Sequence, residues 1–325
     1  MPVCPVGTGP PGRSILQDVG SKYRAWLLIV LVAALCGGSV WFAIWRRQRP
    51  IAPAALMKRI PTANPVVLYI DFTALRNSGI LDKLAGSKAA QDPDYMAFID
   101  KTGFDWQQDL DAALLAFAPD GKYYLVKGRF DWKKVRSYAT DQGGSCAMSL
   151  CSMKSNTPDR TISFFPVQSN LMGMAVSQEE NAARHLQDTD SRPDTDVPDA
   201  PVWVWVPGPA LKSHEQFPAG THMFASALER TERLTLALVP DGDRYAIKLD
   251  ARCRNDEDAI RLTSELSATT SRLRQMLELE HHTPNPADLT GVLSSGSFQS
   301  TGSRVSGQWR IERVFVDKVL GEGLS

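Results

Sequence analysis

Residues Ala25 to Trp45 (AWLLIVLVAALCGGSVWFAIW) form a run of 21 residues without a charged side chain. At about 1.5 Å per helical residue the run spans about 30 Å, the hydrocarbon thickness of a bilayer. A buried core helix is the alternative, but such helices are usually shorter and are not bracketed by basic clusters. Trp26 stands at one end and Trp41 and Trp45 at the other, with Arg46 and Arg47 directly after, as interfacial anchors do. Gly37, Gly38 and Ser39 are tolerated in a membrane helix and would let a second helix approach. We expect one transmembrane helix over 25–45, with the lipid bilayer as its partner.

Two processed-signal readings compete. Cys36 after Val32-Ala33-Ala34-Leu35 faintly matches a lipoprotein cleavage site, but Leu35 is bulky there and the apolar run continues beyond it. A cleaved secretory peptide has an apolar segment of only about 7–15 residues. An uncleaved span is the expectation.

The span divides a chain whose charges cancel only on average. The total is 36 basic and 36 acidic residues, which removes the electrostatic case for a dedicated nucleic-acid binder. Residues 1–49 hold Arg13, Lys22, Arg24, Arg46, Arg47 and Arg49 against Asp18, leaving 30 basic and 35 acidic residues for 50–325. A basic collar therefore precedes a mildly acidic body, and an apolar fraction of 43% can fill that body's core.

The orientation signals conflict. More basic residues follow the span (Arg46, Arg47, Arg49, Lys58, Arg59) than precede it (Arg13, Lys22, Arg24), which by the positive-inside rule favours a cytoplasmic body. Against this, an exported tail would carry Lys22 and Arg24 across the membrane. Cys146 and Cys151 are also close enough to form a disulfide, which suits an oxidising compartment. We place the N-terminus in the cytoplasm and the body outside it, at the inner (plasma) membrane.

Around the span, residues 1–24 are a disordered tail, 46–61 a basic stalk, 62–187 a first α+β unit, 188–200 an acidic linker and 201–325 a second unit. Val66–Ile70 and Val202–Val206 are apolar strands. Pro119-Asp120-Gly121 and Pro240-Asp241-Gly242 sit between apolar runs as hairpin turns, Pro presetting φ and Gly supplying positive φ. Helices are expected over 75–84, 93–102, from Asp131 through 132–140, and from Asn255 to about Leu279, with a last one over 314–320. Ser177-Gln178-Glu179-Glu180 reads as a capping box opening a helix to Leu186. Hairpins are expected over 161–176 and 298–311.

Aligning the two Pro-Asp-Gly turns also matches Leu115, Ala116, Tyr124 and Lys127 with Leu236, Ala237, Tyr245 and Lys248. Ala74-Leu75 and Ala210-Leu211 likewise each follow an apolar strand. The reading is an internal repeat of coarse order β-α-β-β-α-β-β-α. The expected class is α+β: two tandem, mainly antiparallel, partly ferredoxin-like sandwich units behind one membrane helix.

Segments 64–76 (NPVVLYIDFTALR), 102–111 (TGFDWQQDLD) and 127–134 (KGRFDWKK) resemble uncharacterised single-span bacterial envelope proteins. The resemblance implies a duplicated α+β extracytoplasmic body and carries no catalytic motif.

No stretch makes a specific case for catalysis or a cofactor. Gly7-Thr8-Gly9-Pro10-Pro11-Gly12 satisfies G-x-G-x-x-G, but only six residues precede it here, the expected membrane span begins soon after, and its prolines remove backbone donors. Cys146 and Cys151 lack redox or zinc spacing and read as a disulfide pinning a loop. Glu278 and His282 could share a helical face, but no third metal ligand is evident. Asp188, Asp190, Asp194, Asp196 and Asp199 read as a solvated linker, since Pro193 stands where a calcium loop needs glycine. Asp105, Asp109 and Asp111 read as solvent positions around a turn. Trp203 and Trp205 share one strand face. They are a buried central strand or a partner-binding surface.

The expected function is a membrane-anchored envelope protein that binds another protein, or a second copy, or acts as a scaffold. An extracytoplasmic enzyme or small-ligand sensor, with a site between the repeats, is the alternative. Reporters fused after Arg49 and after Ser325 test the topology. Both are expected to report an extracytoplasmic position, and cytoplasmic activity at both would reverse the orientation.

Overall fold

Alternating apolar residues in the body resolve into twelve strands of one antiparallel sheet. The structure is a computed structural model that describes residues 52–62, 64–81, 93–188, 196–212, 228 and 231–322. The expected tail, membrane helix, interfacial residues Trp26, Trp41, Trp45, Arg46 and Arg47, and the start of the stalk lie outside the described residues. No helix among the described residues is long and apolar enough to cross a membrane. The chain divides into the units Met1–Ile51 and Ala52–Ser325, and all twelve strands belong to the second.

The first half contains α1 (Pro53–Met57), β1 (Val66–Asp71), α2 (Phe72–Asn77), α3 (Pro93–Thr102), α4 (Trp106–Asp109), β2 (Leu110–Ala118) and β3 (Gly121–Gly128). It continues with α5 (Trp132–Asp141), β4 (Ser145–Ala147), β5 (Leu150–Lys154), β6 (Thr161–Gln168), β7 (Leu171–Ser177) and a 3-10 turn η1 (Ala182–Leu186). The second half contains β8 (Val202–Pro207), α6 (Gly208–Leu211), β9 (Thr231–Asp241), β10 (Arg244–Cys253) and α7 (Asp256–Leu279). It ends with α8 (Leu289–Ser294), β11 (Ser297–Thr301), β12 (Arg304–Ile311) and α9 (Arg313–Glu322).

Side-chain caps start most of the helices. Asp71 accepts from Ala74 N at 2.8 Å, Asp131 from Lys133 N and Lys134 N at 3.1 and 3.2 Å, and Asn255 from Asp258 N at 2.8 Å. Asp256, Glu257 and Asp258 place negative charge on the first turn of α7, where the helix dipole favours it. The capping-box helix at Ser177 does not form. Ser177 stays in the sheet, paired with Gly121 and Thr161, and its hydroxyl donates to Asp120 O at 3.0 Å. Only the short η1 comes after it.

The strand order is β11-β12-β10-β9-β8-β1-β2-β3-β7-β6-β5-β4. The halves meet where β1 runs antiparallel to β8, with Leu68 opposite Val204. Outward from this seam β1-β2-β3-β7-β6 and β8-β9-β10-β12-β11 follow the same order. Leu68 faces Leu115 on one side and Val204 faces Leu236 on the other. The 188–200 linker therefore does not separate two sheets. The ferredoxin-like expectation also yields: β1 lies directly beside β2, with no strand inserted between them.

The two Pro-Asp-Gly turns are not equivalent. The first hairpin closes with Ala118 opposite Gly121, so its loop is Pro119-Asp120. A Cβ on Gly121 would sit 3.0 Å from Val176 O, so this glycine is needed for close approach rather than for positive φ. The second closes with Asp241 opposite Arg244, around Gly242 at φ +66°. Leu115 thus faces Tyr124, whereas Leu236 faces Leu249. The Tyr124/Tyr245 and Lys127/Lys248 matches fall at different places in the two registers.

Helices pack on one face of the sheet. In the second half α7 covers Leu249, Ala251, Val305 and Trp309, joined by Leu262 and Leu266 from the helix. In the first half Val135 and Ala139 of α5 meet Cys151 and Phe164. On the other face, at the seam, Trp203 is 0% exposed and stacks on Tyr69 with ring centroids 5.3 Å apart. Burial, with Asp71 adding to it, pushes the Tyr69 hydroxyl up to about 12.

Replacing Trp203 with alanine should remove this stack and leave a cavity, costing about 3–5 kcal/mol. Met148 is 89% exposed, and Met148→Ala should change stability by about 0.5 kcal/mol or less. Urea unfolding of the full chain followed by tryptophan fluorescence reads both.

Candidate functional site

The sheet face opposite the helices has two characters. In the first half it carries Leu114, Leu125, Leu171, Ala175 and Phe165, all buried. Two chain segments lie over it. Leu56 and Ile60, in and just after α1, are each 1% exposed, so this part of the expected stalk is packed core. From the other side η1 packs on β6 and β7, with Ala183 N donating to Ser163 Oγ at 3.1 Å. Arg59 joins the two covers, its guanidinium donating to Gln187 O at 2.9 Å.

The register shows what occupies the corresponding positions of the second half. Thr235 stands where Leu114 stands, Asp250 where Leu125 stands, and Arg304 where Leu171 stands. The segment leading into β8 is the acidic linker, where the segment leading into β1 is apolar. Asp196, Pro198, Asp199 and Ala200 border the face without filling it. The result is a cleft of about 620 Å³.

Three register rows make its floor and one edge. One runs Ala237, Lys248, Gln308, Ser297 across β9, β10, β12 and β11. The next runs Thr235, Asp250, Ser306, Gln299, and the last, at the cleft's edge, Arg233, Arg252, Arg304, Thr301, of which Arg233 and Arg304 line the cleft. Residues directly opposed on antiparallel strands project to the same face, so hydroxyl, amide and charged groups converge there.

One ion-pair network crosses the cleft. Arg304 Nε donates to Asp250 Oδ1 and Oδ2 at 2.9 and 2.7 Å, and its Nη2 donates to Asp250 Oδ2 as well. Nη2 also reaches Asp196 Oδ2 at 3.1 Å, which ties the linker to the sheet. The hydrogen bonds to Asp250 hold the Arg304 guanidinium above its ordinary pKa. The indole Nε1 atoms of Trp203 and Trp205 and the Nε of Arg233 are buried without a hydrogen-bond partner among the described residues.

The residues singled out by sequence are scattered rather than gathered. Trp203 is fully buried in a central strand between β1 and β9, so it cannot serve as a partner surface; Trp205 beside it is half-buried. Cys146 and Cys151 are directly opposed on β4 and β5 and form a disulfide. It staples a terminal hairpin at the sheet's far edge, where the sequence suggests only a loop. Cys253 is a buried free thiol, pushed up to about 11 by burial and by Asp258 and Glu232. No group of three metal-ligating side chains occurs among the described residues. His281 and His282 are exposed beyond α7. Asp105 caps α4, while Asp109 accepts from Asp105 N at 2.9 Å and pairs with Arg129. The Gly7–Gly12 run, Cys36, Asp190 and Asp194 lie outside the described residues. Of the cleft residues, the sequence marks Asp196 and Asp199 only as linker and Ala237 and Lys248 only as repeat matches, and no local motif carries the others. Alternating polar residues on 304–308 and 248–252 are their only trace in the sequence.

No protein-family model matches the chain, and no curated protein matches it. Solved structures of the protein TP0453 superpose on it loosely. Crystal form I has a TM-score of 0.45 at 13% identity, covering 86% of this chain and 100% of that one. Crystal form III has 0.48 at 12%, covering 85% and 100%, and crystal form IV has 0.41 at 11%, covering 82% and 96%. At these scores the likeness carries no argument about function.

Removing the Arg304 side chain should free the linker from the cleft wall. Arg304→Ala is expected to raise amide exchange at 196–200 while lowering stability by about 1 kcal/mol or less, since the pair is solvent-accessible. Hydrogen exchange with mass spectrometry measures the first and urea unfolding the second.

Proposed function

We propose that the chain is a membrane-anchored extracytoplasmic binding or scaffold protein of the bacterial cell envelope, and that the polar cleft is its binding surface. One observation carries this reading. The same sheet face is mainly apolar and covered in the first half, with Lys127 and Ser163 buried under the cover, but polar and open in the second. Polar groups cost free energy when buried unpaired, so a face built of them is suited to solvent or to a polar partner. No catalytic role and no cofactor belong to the proposal.

The anchor rests on the 25–45 run and its flanks. The extracytoplasmic position is supported by the Cys146–Cys151 disulfide, and kinship with single-span envelope proteins by the segments at 64–76, 102–111 and 127–134. We also propose that the body arose by duplication. Equal strand order on either side of the Leu68–Val204 seam supports this, as does the matched register of β1–β2 and β8–β9.

A second reading, a small-ligand sensor, is favoured by the cleft volume of about 620 Å³, which falls in the usual range for small-molecule sites. On this reading the site lies within the second half and its preceding linker rather than between the repeats.

Photocrosslinking in intact cells tests the binding surface. A photoreactive residue at Gln299, in the cleft, should give a defined adduct, and one at Ile260, 60% exposed on α7, should not. A protein-sized adduct supports the first reading and a small mass increment the second. No adduct at Gln299, or equal adducts at both positions, removes the cleft as the binding surface.

A further inference from the structure

Arg233, Arg252 and Arg304 occupy one register row on three neighbouring strands. Neighbours in such a row are about 4.5–5.5 Å apart at Cα, and like charges placed so are mutually destabilising. Two carboxylates of the cleft, Asp250 and Asp196, both bond to Arg304. Arg233 and Arg252 make no ion pair among the described residues, and neither does Lys248 two residues along β10 from Asp250. Asp199, the remaining acid, belongs to the bordering segment. The acids are thus concentrated on one arginine, and two adjacent guanidinium groups stay without an ion pair among the described residues. Arg233 also keeps its Nε buried and unpartnered among the described residues.

We infer that this arginine row is an oxyanion subsite and that the cleft takes a small polar ligand bearing a phosphate group. The inference rests on the reading of the cleft as a binding surface. Guanidinium forks match oxyanions bidentately, so Arg233 and Arg252 together offer two forks. A phosphate monoester carries roughly −1.5 to −2 charge and three terminal oxygens, enough to engage both. A carboxylate has one charge and two oxygens and engages one. Beyond the row, Thr235, Ser306 and Gln299, then Lys248, Gln308 and Ser297, present donors and acceptors to the rest of the ligand. The first half lacks these forks, because Ala112, Lys127 and Leu171 stand in the places of Arg233, Arg252 and Arg304, and the lysine is buried.

The test is calorimetric titration of the full chain, reconstituted in phosphatidylcholine nanodiscs, with inorganic phosphate, glycerol phosphate and acetate. Both phosphates are expected to bind, more weakly as salt rises, with acetate about tenfold weaker. Arg252→Ala removes an exposed side chain and should weaken phosphate binding by about tenfold or more. Arg252→Lys keeps the charge but loses the fork, and should fall between. It also serves should the alanine variant fail to fold. Nanodiscs rich in phosphatidic acid, whose headgroup is a phosphate monoester, distinguish the source of the phosphate. Loss of the phosphate signal there assigns it to a lipid headgroup, and an unchanged signal to a soluble ligand. Equal binding of phosphate by Arg252→Ala and the native chain overturns the inference, as does acetate binding as tight as phosphate. If phosphate fails to bind while Gln299 still crosslinks, the inference falls and the cleft reading stands. If both fail, the cleft reading falls with it.

Discussion

The pairing of β1 with β8 is the contact on which the rest of the body depends. Each strand has a full partner on its other side, β2 or β9, so neither half presents an open edge at the seam. Trp203 crosses the seam to stack on Tyr69, adding aromatic area to the backbone ladder. The sheet's free edges are thereby moved to its far ends. There β4 is a three-residue strand held by a disulfide and β11 a five-residue strand rich in serine, glutamine and threonine. Short or polar edges resist unwanted strand addition.

A continuous twelve-stranded sheet exposes two broad faces, and each must be either covered or made polar. Helices α5 and α7 cover one. On the other the halves diverge through what precedes each first strand. Leu56, Met57 and Ile60 precede β1 and fold down as core. Asp196 and Asp199 precede β8 and cannot do so without losing hydration, so that segment borders the face and is held by Arg304. The polar character of β9, β10 and β12 and the acidity of the linker are two sides of one design. The cleft arises from a cover that is absent by composition rather than from a specially shaped loop.

Much of the local architecture is legible in the residues. Asp131 and Asn255 announce their helices because capping is a contact over two or three residues. The hairpins at 161–176 and 298–311 arise from period-two alternation around tight turns. Where a local signal competes with the sheet, the sheet prevails. Ser177 keeps its ladder partners instead of starting a helix, and the Cys146–Cys151 segment pairs as a hairpin because β6 offers β5 a template.

By itself the sequence determined the α+β character, the positions of most strands and the long helices, and a charge-free run of membrane-spanning length. Those are properties of neighbouring residues and of periodicity along the chain. Only the tertiary structure decided that the halves share one sheet, that Leu236 faces Leu249 while Leu115 faces Tyr124, and that Arg233, Arg252 and Arg304 stand in a row. These depend on hydrogen-bond register between segments tens of residues apart, which no local pattern encodes. They depend equally on which segment settles over each face, and that is a competition between burial and hydration across the whole molecule.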